Sequence, residues 1–291
     1  MNVAAFLAAQ SLNALSQAAI LFFIACGLTL IFGIMRIINF AHGGLFMLGA
    51  YVGYSTVAWT GAFWPSLIVA PLVVGALGAV FEKLLLARLY ARQDGGGAYL
   101  LVTFGLAIIL AEAIRLTWGP QPLSISIPDR LRGIVLIGNQ PFPIYRLFLI
   151  AMGGGAALLA WQFLERTRAG LIVRATSQNA EMVHALGIDV NAVRTGVFAL
   201  GCAMAALGGV LSAPLLTAFL GMGTNVIIDA FVIVIIGGMG SFLGSIIGSV
   251  LVAFVQVFGS YYFEDLALAL MYLLMLAVLI VRPGGMLGRQ E

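Results

Sequence analysis

Long apolar runs separated by short polar stretches dominate this chain. A bilayer core takes about 20 mostly apolar residues of helix. Runs of that kind predict spanning helices near 12–35, 37–59, 63–81, 98–114, 145–163, 195–217 and 265–281. Polar stretches at 82–97, 115–142 and 164–194 separate them. The middle stretch is rich in proline and turn residues, so it reads as an irregular surface loop.

Two places break the pattern. The stretch 230–258 is apolar but interrupted by GGMGS at 237–241. It is too long for one ordinary helix and short for two. Irregular backbone at membrane depth needs shielding by protein or a cavity. A short interior element over 230–241 is therefore expected, followed by a helix over 242–258. The other break follows Arg36, where Asn39, His42, Gly43 and Gly44 interrupt the run IINFAHGGLFMLGAY. One such segment in each half predicts a pathway of broken helices around a pseudo-symmetry axis. The plainer alternative is that the glycines mark tight helix packing.

Composition agrees with the pattern and excludes whole classes. Of the 291 residues, 62% are hydrophobic and 9% charged, against roughly 25% charged in a typical soluble domain. Too few charges remain to coat a water-soluble globule. A soluble enzyme, a disordered chain and a nucleic-acid binder are excluded. The 36 glycines suit closely packed membrane helices. The fold class expected is all-α, a polytopic transmembrane bundle. The opening residues MNVAAFLAAQ lack a positive segment, so the first apolar stretch is expected to be a retained helix.

The scarce cations orient the chain. Arg36, Lys83, Arg88, Arg92, Arg166, Arg168, Arg174, Arg194, Arg282 and Arg289 fall on one side, and Arg115, Arg130, Arg132 and Arg146 on the other. The positive-inside rule puts the larger group in the cytoplasm. The N-terminus is then outside and the C-terminus inside. That requires an odd number of crossings, so 230–258 must return to the side it leaves.

Catalytic signals are missing. No GxxxxGK[ST] loop occurs, so the chain is not its own P-loop ATPase. His42 and His184 stand on different segments with no cysteine or acidic cluster, so no zinc site is expected. No GxSxG elbow occurs. Cys26 and Cys202 lie inside apolar runs and read as buried free thiols. Within the spans, Asn39 and His42 are spaced to share a helix face. They either line or gate a solute path, or satisfy backbone freed by the break. Glu112 is expected to pair with Arg115 at a helix end, and Asp229 to cap an element beginning at Ala230. Gln17, Thr29, Thr103 and Gln256 read as packing hydrogen bonds between helices.

The segment RATSQNAEMVHALGIDVNAVR (174–194) predicts a lever. Ser177 is the expected N-cap, with Glu181 in the first turn. Gly187 ends that short helix, and Asp189 caps the next one, which enters the membrane from about Val190. The alternative is an amphipathic helix resting on the membrane surface, although the segment holds no aromatic anchor.

At these residues the chain resembles the LivH-type permease subunits of branched-chain amino-acid ABC importers. The resemblance rests on GLTLIFGIMRIINFAHGGLFMLGAY (27–51), the 174–194 segment, GGMGSFLGSIIG (237–248) and VRPGGMLGR (281–289). It implies one permease domain over 1–291, with about eight membrane elements and an internal inverted repeat. It also implies four partner chains: a paralogous LivM-like permease, two cytoplasmic ABC ATPases that bind ATP and Mg, and an extracytoplasmic substrate-binding protein. No cofactor or metal is implied on this chain, and no catalysis. The implied location is the bacterial inner membrane, in contact with lipid. Ala180, Glu181, Met182, Leu186 and Gly187 match the coupling segment that docks on an ATPase, although Thr176-Ser177-Gln178 depart from the family pattern. The substrate pathway implied comprises Asn39, His42, Gly43, Gly44, Gly237, Gly238 and Gly240. Branched-chain amino acids are the leading cargo. Relatives carry urea, short amides or aromatic acids, and selectivity is expected to rest mainly on the binding protein. The competing classes are a stand-alone secondary transporter or channel, which needs no lever, and a membrane enzyme, which needs a catalytic cluster.

Overall fold

Twelve α-helices and one β-hairpin make up the computed structural model, which describes residues 3–90, 96–138 and 140–288. The helices of the first half are α1 (Val3–Met35), α2 (Ala41–Thr60), α3 (Ser66–Phe81), α4 (Ala87–Tyr90) and α5 (Gly96–Trp118). The hairpin of β1 (Ile134–Ile137) and β2 (Gln140–Pro143) leads to α6 (Ile144–Arg166), α7 (Arg168–Gln178) and α8 (Ala180–Ala185). The remainder is α9 (Val190–Leu216), α10 (Met222–Gly237), α11 (Phe242–Tyr262) and α12 (Ala267–Val281). Among the described residues, seven helices are long and apolar enough to cross a membrane. The buried α2 and the short α10 lie between them, making nine membrane elements.

The expected spans are all helical, and the differences lie at their ends. Alanine-rich sequence carries α1 back to Val3, well before residue 12. The polar stretch from residue 82 continues α3 through a π-helical turn, Glu82–Leu86, into α4. Arg92 and Arg289, two of the orienting cations, lie outside the described residues. The stretch 115–142 is not wholly irregular: Ile134, Val135, Leu136 and Ile137 pair antiparallel with Pro143, Phe142, Pro141 and Gln140. Its Leu123 also exchanges two 2.8 Å backbone bonds with Ala218. The short element expected over 230–241 is α10, which starts earlier and ends at Gly237. Asp229 therefore does not cap it. Gly221 holds the N-cap position, and Asp229 sits two turns inside the helix.

Contacts between backbones set the depth of each piece. A helix rises about 1.5 Å per residue, so the 27 residues of α9 span about 40 Å, with the midpoint near Gly201. Gly27 of α1 packs there. A Cβ on Gly27 would strike the Gly201 carbonyl oxygen, and one on Gly201 would stand 2.8 Å from the Gly27 carbonyl oxygen. Gly78 of α3 meets Cys202 at the same level. His42, at the start of α2, lies against Gly27, and Gly43 beside it is in backbone contact with Gly223, at the start of α10. Both α2 and α10 thus begin at mid-depth. From there α2 climbs beside α9, with Gly49 on Ala206 and Gly53 on Val210. α10 runs the other way, so that Gly240, in the turn after it, touches Gly33 near the end of α1.

The two breaks have one shape. Arg36 and Thr217 are the non-glycine residues of positive φ among those described, at 51° and 57°. Each follows a long helix and donates its N–H back to that helix, Arg36 to Phe32 and Thr217 to Ala213. The chain then doubles back, extended, before the next helix begins. The packing repeats too. α3 packs on α9 and α2 as α11 packs on α1 and α10, and α5 meets α2 as α12 meets α10. This is an inverted repeat, α1–α5 against α9–α12, with α6 to α8 between.

The midpoint contact yields a stability test. Gly201→Leu should push α1 from α9 and cost about 1–3 kcal/mol, as overpacking does. It should lower the thermal midpoint of the purified protein in detergent; an unchanged midpoint would contradict the contact.

Candidate functional site

Three regions hold the residues singled out in the sequence. The first is the break before α2. Asn39 and His42 are fully buried. They do not share a helix face, because Asn39 precedes the helix. Its Oδ1 accepts the Ala41 N–H at 3.0 Å. His42 Nε2 donates to the Ile24 carbonyl of α1 at 3.1 Å. Thr103 of α5 accepts the Phe40 N–H at 3.3 Å and lies 3.4 Å from the Ile38 carbonyl. Side chains thus satisfy the backbone the break exposes, as membrane depth demands. Asn39 Nδ2 and His42 Nδ1 have no hydrogen-bond partner among the described residues. Gly43 and Gly44 are not the break itself. Both are helical, Gly43 against Gly223 and Gly44 against Leu110.

The second region is the turn after α10. Gly237 packs backbone to backbone on Gly244 of α11, and Gly238 (φ 100°) on Gly288 and Gly285. The tail reaches this point and caps α10: Met286 N–H bonds to the Ile236 carbonyl at 2.8 Å and Leu287 N–H to the Gly237 carbonyl at 3.0 Å. Two of the sequence landmarks, GGMGS and RPGGMLG, thus interlock at the Arg36 end of the bundle. The structure does not bring Gly237, Gly238 and Gly240 together with Asn39 and His42; the length of α10 separates them.

The third region is the lever. α7 packs beside α1, with Thr167 accepting the Gly170 N–H at 3.0 Å and Arg174 paired with Glu165. The N-cap of α8 is Asn179, not Ser177. Asn179 Oδ1 accepts the Met182 N–H at 2.9 Å, while Ser177 lies inside α7 and bonds back to the Arg174 carbonyl. Gly187 (φ 81°) ends α8 as expected. Its N–H bonds to the His184 carbonyl, and Ile188 N–H to that of Val183, the paired bonds of a Schellman turn. Asp189 then caps α9, accepting the Asn191 and Ala192 N–H groups. Val183 is buried, whereas Met182 and Leu186 are 58% and 73% exposed. One helical turn apart, they form an apolar ridge.

Two features were missed in the sequence. Glu82 is buried and accepts a 2.5 Å bond from the Thr195 hydroxyl, tying the π turn to the base of α9. Its neighbour Lys83 made it read as part of a loop. The polar pair Thr224–Asn225 lies exposed on α10; its signal was a polar dipeptide opening an apolar run. Of the remaining polar residues, Glu112 does pair with Arg115, and Gln256 bonds to Met271 at 3.4 Å. Thr29 Oγ1 has no hydrogen-bond partner among the described residues, contrary to its expected packing role. Cys26 and Cys202 are buried and free. No group of three potential metal ligands occurs among the described residues. A recess of about 460 Å³ between α1, α6 and α9 is lined by Phe23, Leu30, Met152, Phe163, Met204 and other apolar residues. It offers nothing to orient a charged solute.

Comparison with known proteins fits this arrangement. The permease BraD of the Pseudomonas aeruginosa high-affinity branched-chain amino acid transport system is 28% identical, covering 97% of this chain and 96% of that protein. LivH of Escherichia coli K12, from a system of the same description, is 28% identical with the same coverage. A probable LivH of Methanocaldococcus jannaschii is 25% identical, covering 95% and 91%. The family model described as "Branched-chain amino acid transport system / permease component" matches residues 10–279. The chain therefore belongs to the family of branched-chain amino acid transport system permease components.

Proposed function

We propose that this chain is a membrane permease subunit of an ATP-driven importer that carries branched-chain amino acids into the cytoplasm. A paralogous permease completes the membrane part. Two ATPases, which bind the ATP and Mg, dock on the cytoplasmic face, and a binding protein delivers the solute from outside. On this reading the protein lies in the inner membrane. Its Arg-rich face, with α7, α8 and the tail, is cytoplasmic.

The observation that carries the coupling role is the Met182–Leu186 ridge. Two large apolar side chains exposed outside the bundle, on a helix held by one buried valine, suit a groove on a partner. Two tight turns make that helix stiff. The Schellman turn at Gly187 and the Asp189 cap join it to α9 with no flexible link, so force on α8 passes into a helix that spans the bundle. Ala180, Glu181, Met182, Leu186 and Gly187 are the coupling residues in this proposal. Asn39, His42 and the glycines beside them hold the break at mid-depth from which a path can open.

The direct test is reconstitution with the paired permease, ATPases and binding protein in liposomes. ATP-dependent uptake of leucine, isoleucine or valine is expected, and its absence with a leucine-loaded binding protein would refute the cargo. Gly187→Pro removes the N–H that bonds His184 and fixes φ near −65°. ATPase assembly or coupling should fail while the protein still inserts; wild-type uptake would sink the lever. Leu186→Glu places a charge on the ridge and should reduce copurification of the ATPases without lowering the thermal midpoint.

A further inference from the structure

The exposed face of α10 is polar where a membrane surface should not be. Gly223 is level with Gly43, and through His42 and Gly27 with the middle of α9. Asp229 lies six residues further along α10, about 9 Å on. The hydrocarbon core extends about 15 Å either side of its centre, so Thr224, Asn225 and Asp229 all lie at hydrocarbon depth. Thr224 and Asn225 are exposed and their side chains make no hydrogen bond among the described residues. Ile228 is 42% exposed between them and Asp229. Asp229 is partly exposed and lies beside Gln256 of α11. The ion pairs among the described residues lie elsewhere: Arg115 with Glu112, Arg132 with Asp129 and Arg174 with Glu165. Among the described residues no Lys or Arg pairs with Asp229.

Lipid cannot cover this strip. Ionisable groups at such depth face a bundle interior or a water-filled cavity. Asn39 and His42, by contrast, are sealed behind α10 and α1, with no exposed surface. The strip also ends on an aromatic side. Phe231 meets Phe40 at 5.0 Å between ring centres, and Phe40 meets the half-exposed Phe104 at 6.1 Å. A carboxylate with no cation on it among the described residues, two exposed polar side chains and a neighbouring apolar wall match a solute with an ammonium group and an aliphatic or aromatic side chain.

We propose that Thr224, Asn225 and Asp229 on α10 line the translocation path and form a station for the ammonium group of an amino-acid substrate. The inference rests on the importer reading above. Gln256 stands beside the Asp229 carboxylate, while Thr224 and Asn225 offer hydrogen bonds to the solute's polar end. Ile228 and the Phe40–Phe231 pair border its side chain. The station is weakly built, with a single charge, in keeping with a path that must release what it binds.

Two measurements on the complete transporter test this. In liposomes, Asp229→Asn keeps the shape but removes the charge. Leucine uptake should fall at least about tenfold, as when one partner of a desolvated charge pair is lost. ATP hydrolysis stimulated by the binding protein should persist, and Asp229→Glu should restore part of the uptake. Wild-type uptake by Asp229→Asn would overturn the station. Separately, Thr224→Cys and Asn225→Cys should react with a membrane-impermeant cationic methanethiosulfonate in at least one nucleotide state. Leu101→Cys, 71% exposed on α5, should not. Failure of both α10 cysteines to react in every state would assign the strip to a protein partner and overturn the path. This labelling needs no transported amino acid. If wild-type protein took up no leucine yet both cysteines reacted, the cargo reading would fail and the path would stand.

Discussion

Backbone-on-backbone contact at mid-membrane is the constraint on which the rest depends. Lipid tails are as apolar as leucine, so no hydrophobic effect drives these helices together; close packing does. Gly27 and Gly201 bring α1 and α9 so near that neither position has room for a Cβ, and Gly43 and Gly223 do the same for α2 and α10. With α1 and α9 crossing at mid-membrane, each half of the repeat has the same space to fill. A helix ends, the chain doubles back, and a new helix must start halfway down. The left-handed residue at each turn-back, Arg36 or Thr217, is the consequence.

A helix that starts inside a membrane leaves backbone donors without water. The two halves solve this differently. Before α2, Asn39 and Thr103 supply side-chain acceptors. Before α10 no side chain caps the helix; the N–H groups of Thr224 and Asn225 bond to the Gly221 carbonyl, and Ala218 pairs with Leu123 nearer the hairpin face. The first break is therefore closed and buried, whereas the second presents polar side chains outward. A symmetric frame thus carries asymmetric chemistry: at depth, the first half keeps its carboxylate, Glu82, buried on Thr195, while the second leaves Asp229 partly exposed.

The helical bundle was legible because spans and glycines obey simple rules. Hydropathy found the long helices, and the caps at Gly187 and Asp189 followed from residue type. What was illegible depended on neighbours distant in sequence. Ser177 and Asn179 are both good caps, and packing of α7 beside α1 decides between them by carrying that helix to Gln178. Gly237 and Gly238 read as a pathway break; only their contact with Gly244 and the tail shows a structural interlock. Asp229 looked like a cap because an apolar run starts after it. Its place two turns inside α10 follows from where the chain leaves Ala218, which depends on pairing with Leu123.

α9 is the one element that touches every part of this mechanism. Its first turn is capped by Asp189 beside the α8 ridge and is held by the Thr195–Glu82 bond to the π turn. Its middle carries Gly201 against α1, and its last turn delivers the chain to the break before α10. Between Asp189 and Gly201 α9 has no internal proline, and Pro214 interrupts its hydrogen bonding only in the last turn, so a displacement of α8 reaches the Gly27–Gly201 contact. Ile31 packs on Gly201 and His42 on Gly27, so movement at this contact carries both side chains with it. The same motion shifts Thr217 and with it the start of α10. On the proposed coupling role, a push on α8 is thereby passed to the helix that carries Thr224, Asn225 and Asp229.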